Sequence, residues 1–236
     1  MAAPKVEPKI YTAVVLDFET GGLNCVDCAC TQLAMQAVRL DNWTVLERYA
    51  KYIAPYRKLD IGGAPKRKVL KTRQALVQEE AGMSMKYEPV ALTYSAITMD
   101  MLYNQGVDLK EVAQDVIEFG KRNTLSKGQQ CKPILIGQNI TFDIGFLQQL
   151  IAYAGLMPEF EKVFAGKVDF YGNFQPHYVD TIDLGRFAFA HLPDVTSYKL
   201  EMLSERLGIE LDDAHDAGAD VTATLNVAAV CSARLR

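Results

Sequence analysis

The first third of the chain is patterned as sheet. Residues 10 to 18 (IYTAVVLDF) and 32 to 40 (QLAMQAVRL) are short apolar runs rich in strand formers, and 44 to 54 (TVLERYAKYIA) continues them, which predicts an opening meander of three strands. From Ile61 to Pro89 the pattern breaks up into Gly62-Gly63, Pro65, mixed charge and Gly82, the marks of an insertion. Helical spacing then appears at Val112, Val116 and Phe119, and PILIG at 133 to 137 reads as a buried strand. FLQQLIAYAGL from 146 reads as a helix ended by Gly155. A short strand near Tyr178 to Thr181, a helix through Leu184 to Phe189 and a last helix from about Asp216 complete the pattern. Strands that alternate with helices after a meander predict an α/β class, a mixed sheet covered by helices.

Length and composition set bounds on this picture. With 236 residues, 49% of them hydrophobic, the chain can bury one good core, so the expectation is a single domain, 1–236, with a basic, flexible insertion at about 57–90. No run of 18 apolar residues spans a bilayer and the N-terminus has no apolar signal stretch, so no membrane association and a cytoplasmic location are expected. Of five cysteines, Cys25, Cys28 and Cys30 crowd one loop, and reduced thiols are the simpler assumption. A structural zinc site would want a fourth ligand that this loop does not supply.

The net charge of -4 does not favour a polyanionic partner. Its distribution softens that objection, because Arg57 to Arg73 holds Arg57, Lys58, Lys66, Arg67, Lys68, Lys71 and Arg73 against Asp60 alone. The alternative for such a run is a solvated loop.

Three stretches carry chemistry. In LDFETGGLN, Asp17 and Glu19 are two residues apart on a strand and point to one face while Phe18 points to the other. Converging carboxylates are costly to bury without a cation, and hard oxygen ligands suit Mg²⁺ or Mn²⁺. Gly21 and Gly22 would let the backbone approach a ligand closely. By itself a D-x-E pair at a strand end is more often a solvated turn. In GQNITFDIGFL, Asp143 follows a strand and opens a helix whose Ile144, Phe146 and Leu147 face the core. An acidic residue there is also explained by the helix dipole, with Thr141 as the cap. In DDAHDAGADVTATLNVAAV, His215 precedes a helix that carries Asp220, and Ala217, Gly218 and Ala219 are small enough to let it pack close to the sheet. Asp216 reads as a helix-start residue.

Taken together these residues resemble the DEDDh exonucleases of the ribonuclease H-like fold, the family that includes the proofreading epsilon subunit of bacterial DNA polymerase III. Its motifs D-x-E, N-x-x-F-D and H-x-A-x-x-D match Asp17 with Glu19, Asn139 to Asp143, and His215, Ala217 and Asp220, in order. AITMDML at 96 to 102 and VDTIDLGR at 179 to 186 are similar to the family's connecting segments. There are departures. Ala34 stands where many members carry a glutamate in the second strand, and Thr20-Gly21-Gly22 replaces Thr-Thr-Gly.

The resemblance implies a mixed five-stranded sheet flanked by helices and a metal-dependent 3′→5′ exonuclease releasing nucleoside 5′-monophosphates. It implies two divalent cations, Mg²⁺ or Mn²⁺, held by Asp17, Glu19, Asp220 and Asp143, with His215 as general base. It assigns Thr20, Leu23, Thr98 and Asn139 to substrate binding, Leu23 as a wedge against the last base. The implied partner is nucleic acid, single-stranded 3′ ends, DNA ahead of RNA, and relatives supply a homodimer or a DNA polymerase as further partners. Because the chain ends at Arg236 directly after the third motif's helix, free-standing trimming is expected ahead of proofreading beside a polymerase. A non-catalytic binding module would be expected to lack a ligand or the base, and all five catalytic positions are intact.

Overall fold

A computed structural model describes residues 8–59, 84–210 and 216–235. The meander forms as expected: β1 (Thr12–Thr20), β2 (Cys30–Arg39) and β3 (Val45–Tyr52) are antiparallel neighbours. β4 (Ile134–Gly137) then joins β1 in parallel, and β7 (Tyr178–Asp180) joins β4 in parallel. The result is a mixed five-stranded sheet in the order β3-β2-β1-β4-β7. A separate hairpin, β5 (Gly166–Val168) with β6 (Phe174–Pro176), precedes β7.

Helices α1 (Pro89–Tyr94), α2 (Met99–Gln105) and α3 (Leu109–Arg122) lie between β3 and β4, and α4 (Ile140–Ala154) and α5 (Met157–Val163) follow β4. After β7 come α6 (Thr181–Phe189), α7 (Leu200–Leu207) and α8 (Ala217–Arg234). Two layers of helix explain why β1 and β2 are apolar almost without alternation: each face of a covered sheet needs its own core. Val14, Leu16, Leu33, Met35 and Leu135 pack with α3 and α4 through Val112, Val116, Phe119, Phe146 and Leu150. On the other face Ala13, Val15, Ala34 and Ile136 meet Ala217, Val221, Leu225 and Ala228 of α8. The small residues at the start of α8 do bring it against the sheet, since Ala217 is fully buried there.

Two local readings are corrected. The helix carrying Asp143 begins at Ile140, and Thr141 is inside it; the N-cap is Asn139, in the left-handed region at φ 54°, ψ 39°. Asparagine tolerates that conformation better than other side chains, so the chain turns sharply from β4 into α4. Gly21 and Gly22 face protein: a Cβ on Gly21 would stand 2.5 Å from the Lys86 carbonyl oxygen, and one on Gly22 2.8 Å from Glu88 Cδ. Most of the predicted insertion, residues 60–83 and with them Lys66, Arg67, Lys68, Lys71 and Arg73, lies outside the described residues, as does His215. The flanks are tied in: Arg57 bridges to Ser84 and Cys28 to Lys86, and Lys58 pairs with Asp27 at 2.6 Å. All five cysteines are free thiols, as expected. No helix among the described residues is long and apolar enough to cross a membrane.

Candidate active site

Because side chains alternate along β1, Ala13, Val15, Asp17 and Glu19 share the face covered by α8. Asp220 sits in the first turn of α8 and so meets the end of β1 from that side. One oxygen from each of Asp17, Glu19 and Asp220 lies within 4.8 Å of the others, a grouping made from two ends of the chain. The start of α8 is fixed at two points. The Asp216 side chain caps it by accepting from Ala219 N at 3.2 Å, as its sequence context predicts, and it also accepts from Gln32 Nε2 at 3.2 Å. Gln32 is the cross-strand partner of Glu19, so the same interaction holds α8 in register with the carboxylates. A register shift between Glu19 and Thr20 ends the regular ladder at this point, a common feature of sheet edges beside functional sites.

Asp143 reaches the cluster from the opposite face. It is buried, 3% exposed, and its Oδ1 accepts from Phe18 N at 3.0 Å, between Asp17 and Glu19. It stands beside the group of three rather than within it.

The electrostatics are those of a site with too much negative charge. Burial is the largest cause lifting Asp17 to about 7, with Asp220 and Asp216 adding to it. Burial likewise lifts Glu19 to about 8, with Asp17, Asp220 and Asp216 contributing. Asp143 is pushed well above the usual carboxylate range by burial and by Asp17, against the opposing pull of the Phe18 N–H. Among the described residues, the neighbours that shift these three groups are other carboxylates and backbone N–H groups. Hard oxygen donors from three elements, crowded together, fit divalent cations.

The end of β1 and the loop that follows carry two of the predicted substrate residues. The Thr20 hydroxyl donates to the Gly22 carbonyl at 2.9 Å, and Leu23 is 85% exposed. The loop is held from beneath by Gln149 of α4, which the sequence did not single out. Gln149 Nε2 donates to the carbonyls of Cys25 and of Cys28, the latter at 3.0 Å, and its Oε1 accepts from the Tyr56 hydroxyl at 2.6 Å. The Tyr56 oxygen accepts in turn from Cys30 N at 2.6 Å. One buried amide thus joins the helix of Asp143 to the loop of Leu23.

The other two are placed differently. Asn139 begins α4, and its N–H donates to Asp180 Oδ1 at 3.1 Å, the carboxylate that also caps α6. Thr98 caps α2 by accepting from Met101 N at 3.2 Å and makes no hydrogen bond to the carboxylates. Tyr94, at the end of α1, has its phenol raised by burial first, then by Glu201, with Asp220 and Glu19 adding to it, so it lies within electrostatic reach of the cluster; no motif pointed to it.

Known proteins place this geometry. The RNase_T exonuclease family model matches residues 82–228, a span holding Asp143, His215 and Asp220. The PolC-type DNA polymerase III of Bacillus subtilis is 28% identical over 213 residues, 90% of this chain and 11% of its own length. The Oceanobacillus iheyensis enzyme of the same name is 25% identical over a like span. The chain therefore covers about a tenth of the length of these relatives. E. coli exonuclease I, solved in complex with a dT13 oligonucleotide, has the same fold: TM-score 0.65 at 20% identity, covering 95% of this chain and 41% of that one. The chain belongs to the RNase_T exonuclease family, with the ribonuclease H-like fold of the DEDD exonucleases.

Proposed function

We propose that the chain is a 3′→5′ exonuclease that releases nucleoside 5′-monophosphates from single-stranded 3′ ends, DNA ahead of RNA. The observation that carries this is the convergence of Asp17, Glu19 and Asp220 within 4.8 Å, where burial and neighbouring carboxylates raise Asp17 and Glu19. Asp17, Glu19 and Asp220 would hold divalent cations directly, and Asp143, fixed by the Phe18 N–H, would support them from the other face. Bound Mg²⁺ or Mn²⁺, two ions in the family's scheme, supplies the positive charge that polarises the scissile phosphodiester and offsets charge developing on it.

The rest falls to the chain's own groups. The neutral imidazole of His215, next to the α8 cap Asp216 in sequence, takes the proton from the attacking water. Exposed Leu23 stacks against the terminal base and the Thr20 backbone meets the 3′-hydroxyl, so the enzyme reads an end rather than a sequence. Asn139 and Thr98 belong to the same substrate-binding set. A second reading, action beside a DNA polymerase, is favoured by one observation, the likeness to PolC-type polymerases over 90% of this chain. Digestion of 5′-labelled single-stranded DNA, duplex DNA and RNA with Mg²⁺, with Asp17→Ala as the blank, tests the proposal. A ladder shortening from the 3′ end of single-stranded DNA is expected; internal cuts, or equal cleavage by the variant, would overturn it.

A further inference from the structure

The end of the sheet away from the carboxylates has the opposite chemistry. Ala13 pairs with Ile134, and Asp17 lies four residues farther along β1, so about 13 Å of strand separates that level from the acidic cluster. Beyond Ile134, where β4 begins, an open cavity of about 390 Å³ is lined by Lys132, Lys162, Lys167, Gln129, Glu161 and Phe174, among others. Among the described residues none of the three lysines forms an ion pair; Lys132 donates instead to the Glu161 carbonyl at 2.9 Å. The Lys9 ammonium is close by, 3.8 Å from where a Cβ on Gly128 would stand.

The β5–β6 hairpin forms one wall of this cavity and ends in two aromatic rings held in water. Phe170 is 96% exposed and Tyr171 84%, and the rings meet edge to face at 5.5 Å. The turn that presents them is tightly built. Asp169 Oδ1 accepts from both Tyr171 N and Asn173 N at 2.9 Å, Oδ2 accepts from Gln175 Nε2 at 3.1 Å, and Gly172 takes φ +85°. Those bonds consume the Asp169 carboxylate. They need neither ring, since any residue supplies the backbone N–H at 171, so burial and turn formation both leave Phe170 and Tyr171 unexplained. Rings with open faces beside unpaired lysines are the elements that hold single-stranded nucleic acid, bases on the rings and phosphates on the ammonium groups.

We propose that this face, the Phe170–Tyr171 hairpin with Lys132, Lys162 and Lys167, is a second, non-catalytic site for single-stranded nucleic acid. It rests on the reading of the chain as an enzyme acting on such strands, and it serves a strand too long to be held at the acidic cluster alone. Fluorescence anisotropy of the full chain in EDTA tests it, using labelled oligothymidylate of about 16 residues and a tetranucleotide. Phe170→Ser with Tyr171→Ser is expected to weaken the longer strand at least fivefold, roughly one stacked base, and to leave the tetranucleotide unchanged. Lys162→Gln with Lys167→Gln is expected to lower the slope of log affinity against log salt by about 0.7 for each phosphate that is no longer neutralised. All four side chains are on the surface, so the variants keep the fold, and with Mg²⁺ they should hydrolyse the tetranucleotide like the parent. Wild-type affinity and salt slope in both variants would overturn the proposal. So would capture of an acidic, aromatic-containing peptide, or of anionic vesicles, that depends on these residues while the oligonucleotide does not bind. Loss of hydrolysis with the hairpin-dependent binding intact would instead remove the catalytic reading and leave this site standing.

Discussion

The two ends of the central sheet differ in what they do with charge. At the C-terminal end of β1, Asp17, Glu19 and Asp220 are crowded together, and burial with neighbouring carboxylates makes ionisation of Asp17 and Glu19 harder. At the other end three lysines line an open cavity without ion pairs among the described residues, and two exposed rings are displayed on a hydrogen-bonded turn. A net charge of -4 averages over these ends and describes neither. The lesson is physical: a polyanion can be handled by a mildly acidic protein when the acidic groups are spent on binding cations and the basic groups lie where strands can reach them.

Removing the acidic end's chemistry should have the largest effect. Asp17→Ala is expected to lower turnover at least roughly a hundredfold and to abolish divalent-cation binding, read by single-turnover digestion and by calorimetry. His215→Ala should lower turnover by roughly 10²- to 10⁴-fold while cation binding stays at the parental level. Equal activity of the two variants and the parent would contradict both roles. A histidine base also predicts activity that rises from about pH 6 to 8 at saturating Mg²⁺, since an unperturbed imidazole titrates near roughly 6.5; a flat profile would rule it out.

The next effect is on stability. Asp17 and Glu19 are raised in the folded protein, to about 7 and about 8, above their ordinary 3.8 and 4.5. Raised carboxyls contribute stability that is complete below the unfolded values and is lost as pH rises through the folded ones. In EDTA, thermal melts should therefore show Tm falling between about pH 4 and 8 from these groups, and Asp17→Asn should flatten that fall. Mg²⁺ should restore stability most at the upper end of the range, by binding the ionised folded state. A Tm that rises with pH in EDTA and ignores Asp17→Asn would contradict the crowding.

A smaller effect is expected where the acidic end meets its loop. Gln149→Leu leaves two carbonyls and the Tyr56 hydroxyl without their partner and should cost about 1–3 kcal/mol in denaturant melts. Because Gln149 supports Leu23 rather than the carboxylates, KM for oligonucleotides should rise more than kcat falls. A change in kcat alone would place the amide's influence on Asp143 instead.

Much of this was legible in the sequence, for identifiable reasons. β1 and β2 are long and apolar on both faces, so their pattern carried the sheet; Asp17 and Glu19 interrupted it at period two, which put them on one face, while Asp220 was joined to them only by the resemblance of its motif to the DEDDh family's. Helices α1, α2, α5 and α7, of six to eight residues, and the three-residue strands β5 and β6 are too short for periodicity to declare itself. Thr141 was a reasonable cap by residue type, but the left-handed turn at Asn139 starts the helix earlier, a choice of backbone that sequence pattern does not record. The glycines after β1 read as room for a ligand and proved to be room for residues 86–88, and Gln149 acts through contacts more than 120 residues away in the chain. Such long-range polar contacts leave no local signature.

The central claim is that Asp17, Glu19 and Asp220 form a divalent-cation site, and direct titration with Mn²⁺, followed by calorimetry or by loss of the free-ion paramagnetic resonance signal, tests it without any substrate. Saturable binding by the parent chain that disappears in Asp17→Asn and survives in Lys167→Gln is the predicted result. Binding of equal strength in the parent and in Asp17→Asn would contradict the account.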